Sequence, residues 1–260
     1  MKFIEKIPVA QVLTWVICSL MIVPILIVMT VSFGKSSYMI FPPTSFSLRW
    51  YDEFFSSPEW MSSLGSSLLI AILASAIATT LGFLGAYSLV RGRYGHKKLI
   101  VSFCLLPLIV PTIITSVALY FASVPLELVG SKVWIAVCHS SLALPIVLLI
   151  LISTLQGIDI SVERAAESLG ASRTYTFLRV ILPMTAPGVV SAAFFSFLTS
   201  FDELVISLFL SGVETETLPV RIWNSLVMNM EPVIASISSF LIILTVALLL
   251  LELAVRRVRA

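Results

Sequence analysis

Two adjacent carboxylates, Asp202 and Glu203, stand deep in an apolar run of this 260-residue chain. Insertion scales charge about 2.5–3.5 kcal/mol for an acidic residue at a helix centre, so carboxylates there mark a functional path by default. On a helix, Glu203 shares a face with Ser196, Ser200 and Ser207, whereas Asp202 lies about 100° around, near Thr199 and Phe195. A polar stripe of this kind suits a water-filled path, and its carboxylates favour a cationic solute. Phe194, Phe197 and Phe201 lie beside the stripe and offer a constriction or a cation–π surface. The competing reading is a carboxylate satisfied by a neighbouring helix or by a paired chain, with aromatic packing around it.

Other chemistry is thin. Gly34-Lys35-Ser36 looks like the end of a phosphate-binding loop, but Met29 stands where the first glycine belongs. Cys18, Cys104 and Cys138 lie in apolar runs with no paired spacing, so no disulfide framework is expected. His96 and His139 are far apart in sequence and offer no metal-ligand spacing. With no nucleotide loop and no Ser/His/Asp constellation, an enzyme active on its own is not expected. Any motor that couples energy here belongs to another chain.

Residues 156–181 read as a structured loop. Asp159 or Ser161 can cap a short helix, Glu163 complements its positive end, and Gly170 ends it. Ser172 can cap a second turn running to Arg179, before Leu182-Pro183 and Pro187 open the next apolar run. Ala165 and Ala166 give the first helix a low profile, suited to a partner's groove or to rest on a membrane surface.

The elements that carry these groups are membrane spans. Hydrophobic residues are 58% of the chain and charged ones 12%, against about 45–50% and 25% in soluble proteins. That excludes a water-soluble globule and a disordered chain. A net charge of +2 gives no nucleic-acid surface. Six stretches are long enough to cross hydrocarbon: roughly 9–33, 64–90, 99–122, 133–155, 186–210 and 233–255. None alternates with period two, so the expected fold is an all-α membrane bundle of about six helices in a single domain. The first stretch is much longer than a signal-peptide core and no A-x-A site follows it, so it reads as a retained span.

Lysines and arginines set the topology. Lys2, Lys6, Arg91, Arg93, Lys97, Lys98, Arg164, Arg173, Arg179, Arg256, Arg257 and Arg259 fall on one side, and only Lys35, Arg49, Lys132 and Arg221 on the other. The positive-inside rule then predicts both termini and the 156–181 loop in the cytoplasm. The outer 43–61 segment, with Trp50, Tyr51, Phe54, Phe55 and Trp60, suits a headgroup-level helix. In the second span Ala74, Ala78, Gly82 and Ala86 form a ladder of small residues that lets another helix approach closely.

Arg164-Ala165-Ala166-Glu167-Ser168-Leu169-Gly170, followed after nine residues by Val180-Ile181-Leu182-Pro183, resembles the EAA loop of binding-protein-dependent ABC transporter permeases with the MetI-like fold. The spacing matches throughout. Arg164 stands where the family has Glu, with Glu163 one place earlier, and Val180 replaces Ile. Within that family Ser200-Phe201-Asp202-Glu203-Leu204-Val205-Ile206, Ser211-Gly212 and Thr217-Leu218-Pro219-Val220-Arg221-Ile222-Trp223 are similar to the polyamine (spermidine/putrescine) permease group.

The resemblance implies a multi-pass permease of the bacterial inner membrane that works by alternating access. It implies a paired permease (a different but related chain), two ATPase subunits gripping the 159–179 helices, and an extracytoplasmic solute-binding protein. ATP and Mg belong on the ATPase subunits, and this chain itself needs no cofactor and no metal. The coupling residues it implies are Glu163, Arg164, Ala165, Ala166, Gly170, Val180, Leu182 and Pro183. Asp202, Glu203, Ser200, Phe201 and Phe197 are the expected solute-path residues. Rival readings are an ABC importer for an opine, an amino-acid derivative, ferric ion or an anion, and, more remotely, a gradient-driven secondary transporter.

Overall fold

In hydrocarbon each backbone N–H and C=O must be satisfied within its own segment, which makes helices of the long apolar runs. The computed structural model describes residues 9–228 and 231–259, so Lys2 and Lys6 of the charge count lie outside the described residues. Among them run α1 (Val9–Ser32), α2 (Arg49–Ser56), α3 (Pro58–Arg91), α4 (Lys97–Cys104), α5 (Thr112–Ser123), α6 (Lys132–Gln156), α7 (Ile160–Ser168), α8 (Arg173–Thr176), α9 (Leu182–Phe201), α10 (Val205–Leu210), α11 (Leu218–Met228) and α12 (Val233–Arg259). The only β pairing described is the isolated bridge between Gly34 and Phe46.

Four described helices are long and apolar enough to cross a membrane: Gln11–Ser32, Pro58–Arg91, Lys132–Gln156 and Arg173–Phe201. The stretch expected as one span over 99–122 is instead a pair, Lys97–Leu108 and Thr112–Leu126, bent by 93°. Pro107 and Pro111 explain the bend, because each removes a backbone donor and its ring crowds the preceding turn. The stretch expected over 186–210 also differs. Its helix stops at Phe201 and restarts at Val205. At its other end it does not begin at a break: α8, a π turn over Phe177–Ile181 and α9 follow one another without interruption. Pro183 would clash with the carbonyl four residues back in a regular helix, and the wider π turn accommodates it.

The described chain divides into two units. One joins α1, α2 and the chain to Met61 with Ile222–Ala247. Here α2 turns Trp50 and Phe54 inward. Phe54 meets Phe240 with ring centroids 5.7 Å apart, and Ser236 Oγ donates to the Trp50 carbonyl at 3.1 Å. The aromatic segment is thus partly a packing surface of its own unit, and α1 keeps its apolar side chains exposed, as lipid-facing residues are.

The second unit, Ser62–Arg221 with the last helix from Leu248, carries the candidate site. Its core joins Ala78, Phe83 and Ala86 of α3 to Ala143, Val147, Leu148 and Leu151 of α6, and to Ala192 of α9. The small-residue ladder is the reason α3 and α6 lie close. A Cβ at Gly82 would run into Val147, and one at Gly188 of α9 into Thr154 of α6. Gly82→Val and Gly188→Val are therefore expected to overpack these seams by about 1–3 kcal/mol each. Thermal melting of the purified assembly checks this. Gly85→Ala, whose Cβ would meet Leu148 at an ordinary 3.5 Å, is expected to leave the melting temperature unchanged.

Candidate functional site

The break in the fifth span is made by a side chain. Glu203 accepts hydrogen bonds from the backbone N–H groups of Val205 at 3.1 Å, Ile206 at 2.8 Å and Ser207 at 3.3 Å. Those donors would otherwise bond the carbonyls of residues 201–203. Capping by the carboxylate replaces the ladder, ends α9 and starts α10 with negative charge at its positive end.

Across from the break, α6 presents His139, only 1% exposed. Its Nδ1 lies 2.8 Å from Ser200 Oγ, and its Nε2 lies 3.1 Å from Ser207 Oγ and 3.5 Å from Glu203 Oε2. A carboxylate only accepts, so hydrogen-bond logic puts the imidazole proton on Nε2 and makes Nδ1 the acceptor of the Ser200 hydroxyl. One imidazole thereby touches the last turn of α9, the break and α10.

The stripe read along one helix face is split by this geometry. Ser200, Glu203 and Ser207 converge on His139, whereas Asp202 is exposed and its carboxylate has no hydrogen-bond or ion-pair partner among the described residues. Phe197 and Phe201 stack with centroids 5.6 Å apart and planes 15° from parallel, and both keep part of their surface exposed. Ser196 Oγ is buried without a partner among the described residues.

At the other end of α9 the loop is built from its own caps. Asp159 accepts from the Ser161 N–H at 2.7 Å, and that backbone bond holds its carboxyl below the usual carboxylate range. The helix α7 ends in a Schellman motif. Gly170 adopts φ 89°, with Ala171 N–H bonding the Ala166 carbonyl and Gly170 N–H that of Glu167. Ser172 then caps α8 through the Tyr175 N–H.

Glu163 faces its own chain. It pairs with Arg91 Nε at 2.5 Å and accepts from the Tyr87 hydroxyl at 3.2 Å, while Arg91 Nη2 also donates to the Ile158 carbonyl at 2.8 Å. Phe177, in the π turn, packs edge-on against Phe83 and Tyr87 with centroids 5.5 and 5.0 Å away. Arg164, Ala165, Gly170 and Pro183 are exposed; Ala166, Val180 and Leu182 are half-buried; Leu169 is 90% exposed. Three residues of these clusters do not stand out in the sequence. His139 has no partner at ligand spacing, Arg91 reads only as a topology charge, and Tyr87 has no local signal. A histidine inside a span was the available signal.

The family model for the "binding-protein-dependent transport system inner membrane component" matches residues 78–260. The spermidine/putrescine transport system permease protein PotC of Haemophilus influenzae is 32% identical over 245 residues, 94% of each chain. The putrescine transport system permease protein PotI of Escherichia coli K12 is also 32% identical, over 84% of this chain and 80% of its own. Among solved structures, a bacterial ABC transporter that imports the acidic polysaccharide alginate superposes with a TM-score of 0.72 at 12% identity, covering 99% of both chains. An inward-facing methionine ABC transporter gives 0.59 at 18%, over 78% of this chain and 99% of its own. The last two likenesses concern the fold alone. The family match and the relatives, at 32% identity over most of the chain, establish that it belongs to the binding-protein-dependent inner membrane components and is the permease component of an ABC importer, a transport subunit and not an enzyme.

Proposed function

We propose that this permease passes a cationic solute of the polyamine class, putrescine or spermidine, and that Asp202 meets the cation. The observation that carries this reading is the exposed Asp202 carboxylate at the break of the fifth span, directly after the stacked pair Phe197 and Phe201 in the chain. A carboxylate and an aromatic face both attract alkylammonium groups. The names of the relatives, spermidine/putrescine and putrescine permeases, agree with it.

On this reading the chain pairs with a related permease. Two ATPase subunits hold ATP and Mg and grip α7 and α8, and a binding protein delivers solute from outside. Both termini face the cytoplasm. Closure of the ATPases moves α7, and α8, the π turn and α9 carry the motion over 29 residues, about 43 Å, to the break at Asp202. No residue of this chain takes part in hydrolysis.

The test is purification with its associated subunits, reconstitution, and measurement of ATP-dependent uptake of labelled putrescine, spermidine, a neutral sugar and an anionic solute. Uptake confined to the polyamines is expected. Transport of the anion or the sugar at equal or better efficiency would overturn the reading.

A further inference from the structure

His139 touches both sides of the break. Ser200 lies on the last turn of α9, Glu203 in the break and Ser207 in α10, and all three sit within 3.5 Å of one imidazole carried by α6. Leaving a nitrogen of that ring unpaired in the interior would be costly, so the three partners fix its orientation. The ring in turn braces Glu203. Glu203 Oε2 accepts from the Ile206 and Ser207 N–H groups and lies 3.5 Å from His139 Nε2, which is itself bonded to Ser207 Oγ at 3.1 Å, so the imidazole closes over the carboxylate that keeps residues 202–204 out of helix.

The consequence reaches the neighbouring residue. Asp202 is exposed because the backbone leaves the helix immediately after Phe201. Were Glu203 released, the free N–H groups of 205–207 would be available to carbonyls one turn back, and α9 could wind on through the break. Each residue so added turns the chain by about 100°, which would alter where the carboxylates point.

We infer that His139 is a positioning residue for solute recognition, acting through Glu203 to hold the break that presents Asp202. The inference rests on the reading that Asp202 meets the cation.

The test uses the assembled transporter in proteoliposomes, with uptake kinetics for putrescine and spermidine and the amount of assembled complex measured for each variant. Asparagine reproduces the Nδ1 end of the imidazole and glutamine the Nε2 end. His139→Ala and His139→Asn are expected to raise the uptake KM about tenfold, with the maximal rate within about twofold of the parent. His139→Gln, which still donates toward Glu203, is expected to restore the KM to within about threefold. A purely structural role would lower the yield of complex in all three variants and leave the KM of the surviving complex unchanged, which overturns the inference. So does a His139→Gln variant as impaired as His139→Ala. Asp202→Asn is measured alongside. A raised KM there with a parental KM in His139→Ala overturns the inference alone, whereas a parental KM in Asp202→Asn removes the solute-path reading on which it rests.

Discussion

Asp202→Asn is expected to lower uptake of putrescine and spermidine at sub-saturating concentration by about 30-fold, with assembly and basal ATP hydrolysis unchanged. The substitution keeps size and shape and removes one charge. Two unit charges about 4 Å apart attract by about 4 kcal/mol at an effective dielectric constant near 20. Water in the path competes for both, so about half of that, roughly 2 kcal/mol or 30-fold, is taken as the loss. Uptake over a range of solute concentrations decides it, and parental kinetics would count against Asp202 as the contact.

Glu203→Ala makes the contrast. Its carboxylate is engaged by three backbone N–H groups and faces His139, so truncation removes a cap. A cap of this kind contributes about 1–2 kcal/mol, and the loss is expected in the melting temperature of the complex. Preference among cations is expected to stay as it was, but the uptake KM is expected to rise at least as far as in His139→Ala, because the break that presents Asp202 loses its cap. A Glu203→Ala complex that melts normally but loses polyamine preference would exchange the roles of the two residues.

Much of this was legible in the sequence, and what was not has physical reasons. Hydropathy located the long helices because length and apolarity alone decide them. The caps at Asp159, Gly170 and Ser172 were readable because capping is local, and the structure has all three. Hydropathy is blind to the 93° bend, since Pro107 and Pro111 lie in an apolar window that scores as one span. The break at 202–204 was hidden because helical periodicity assumes the helix it is used to test. Placing Glu203 on a face with Ser200 and Ser207 found the right companions, but the common feature is His139, more than sixty residues earlier in the chain. Arg91 and Glu163 are also distant in sequence, and nothing local announces that the charge at the end of one helix is the counter-ion of another.

That ion pair carries the other large expected effect. Arg91 and Glu163 meet with side chains 13% and 14% exposed, and the Tyr87 hydroxyl and the Ile158 carbonyl complete the group. Together these bonds tie α7 to the end of α3. Arg91→Ala leaves the Glu163 charge enclosed with only the tyrosine, a change of the class that costs about 3–5 kcal/mol when fully buried and somewhat less here. Water can relieve that cost only if α7 lifts away. The expected result is a complex that still hydrolyses ATP but takes up about tenfold less solute per ATP, because α7 no longer moves α3 with it. The exchange Arg91→Glu with Glu163→Arg is expected to recover part of the ratio. It restores opposite charges, but not the bond from Arg91 to the Ile158 carbonyl. A double-mutant cycle on the melting temperature separates the pair from its neighbours. Arg173→Ala serves as the control. Its guanidinium is 95% exposed and 3.9 Å from Glu167, an arrangement worth less than about 1 kcal/mol. A parental ratio of solute to ATP in Arg91→Ala would mean that α7 transmits motion only through α8, the π turn and α9, and that its tie to α3 is a matter of folding alone.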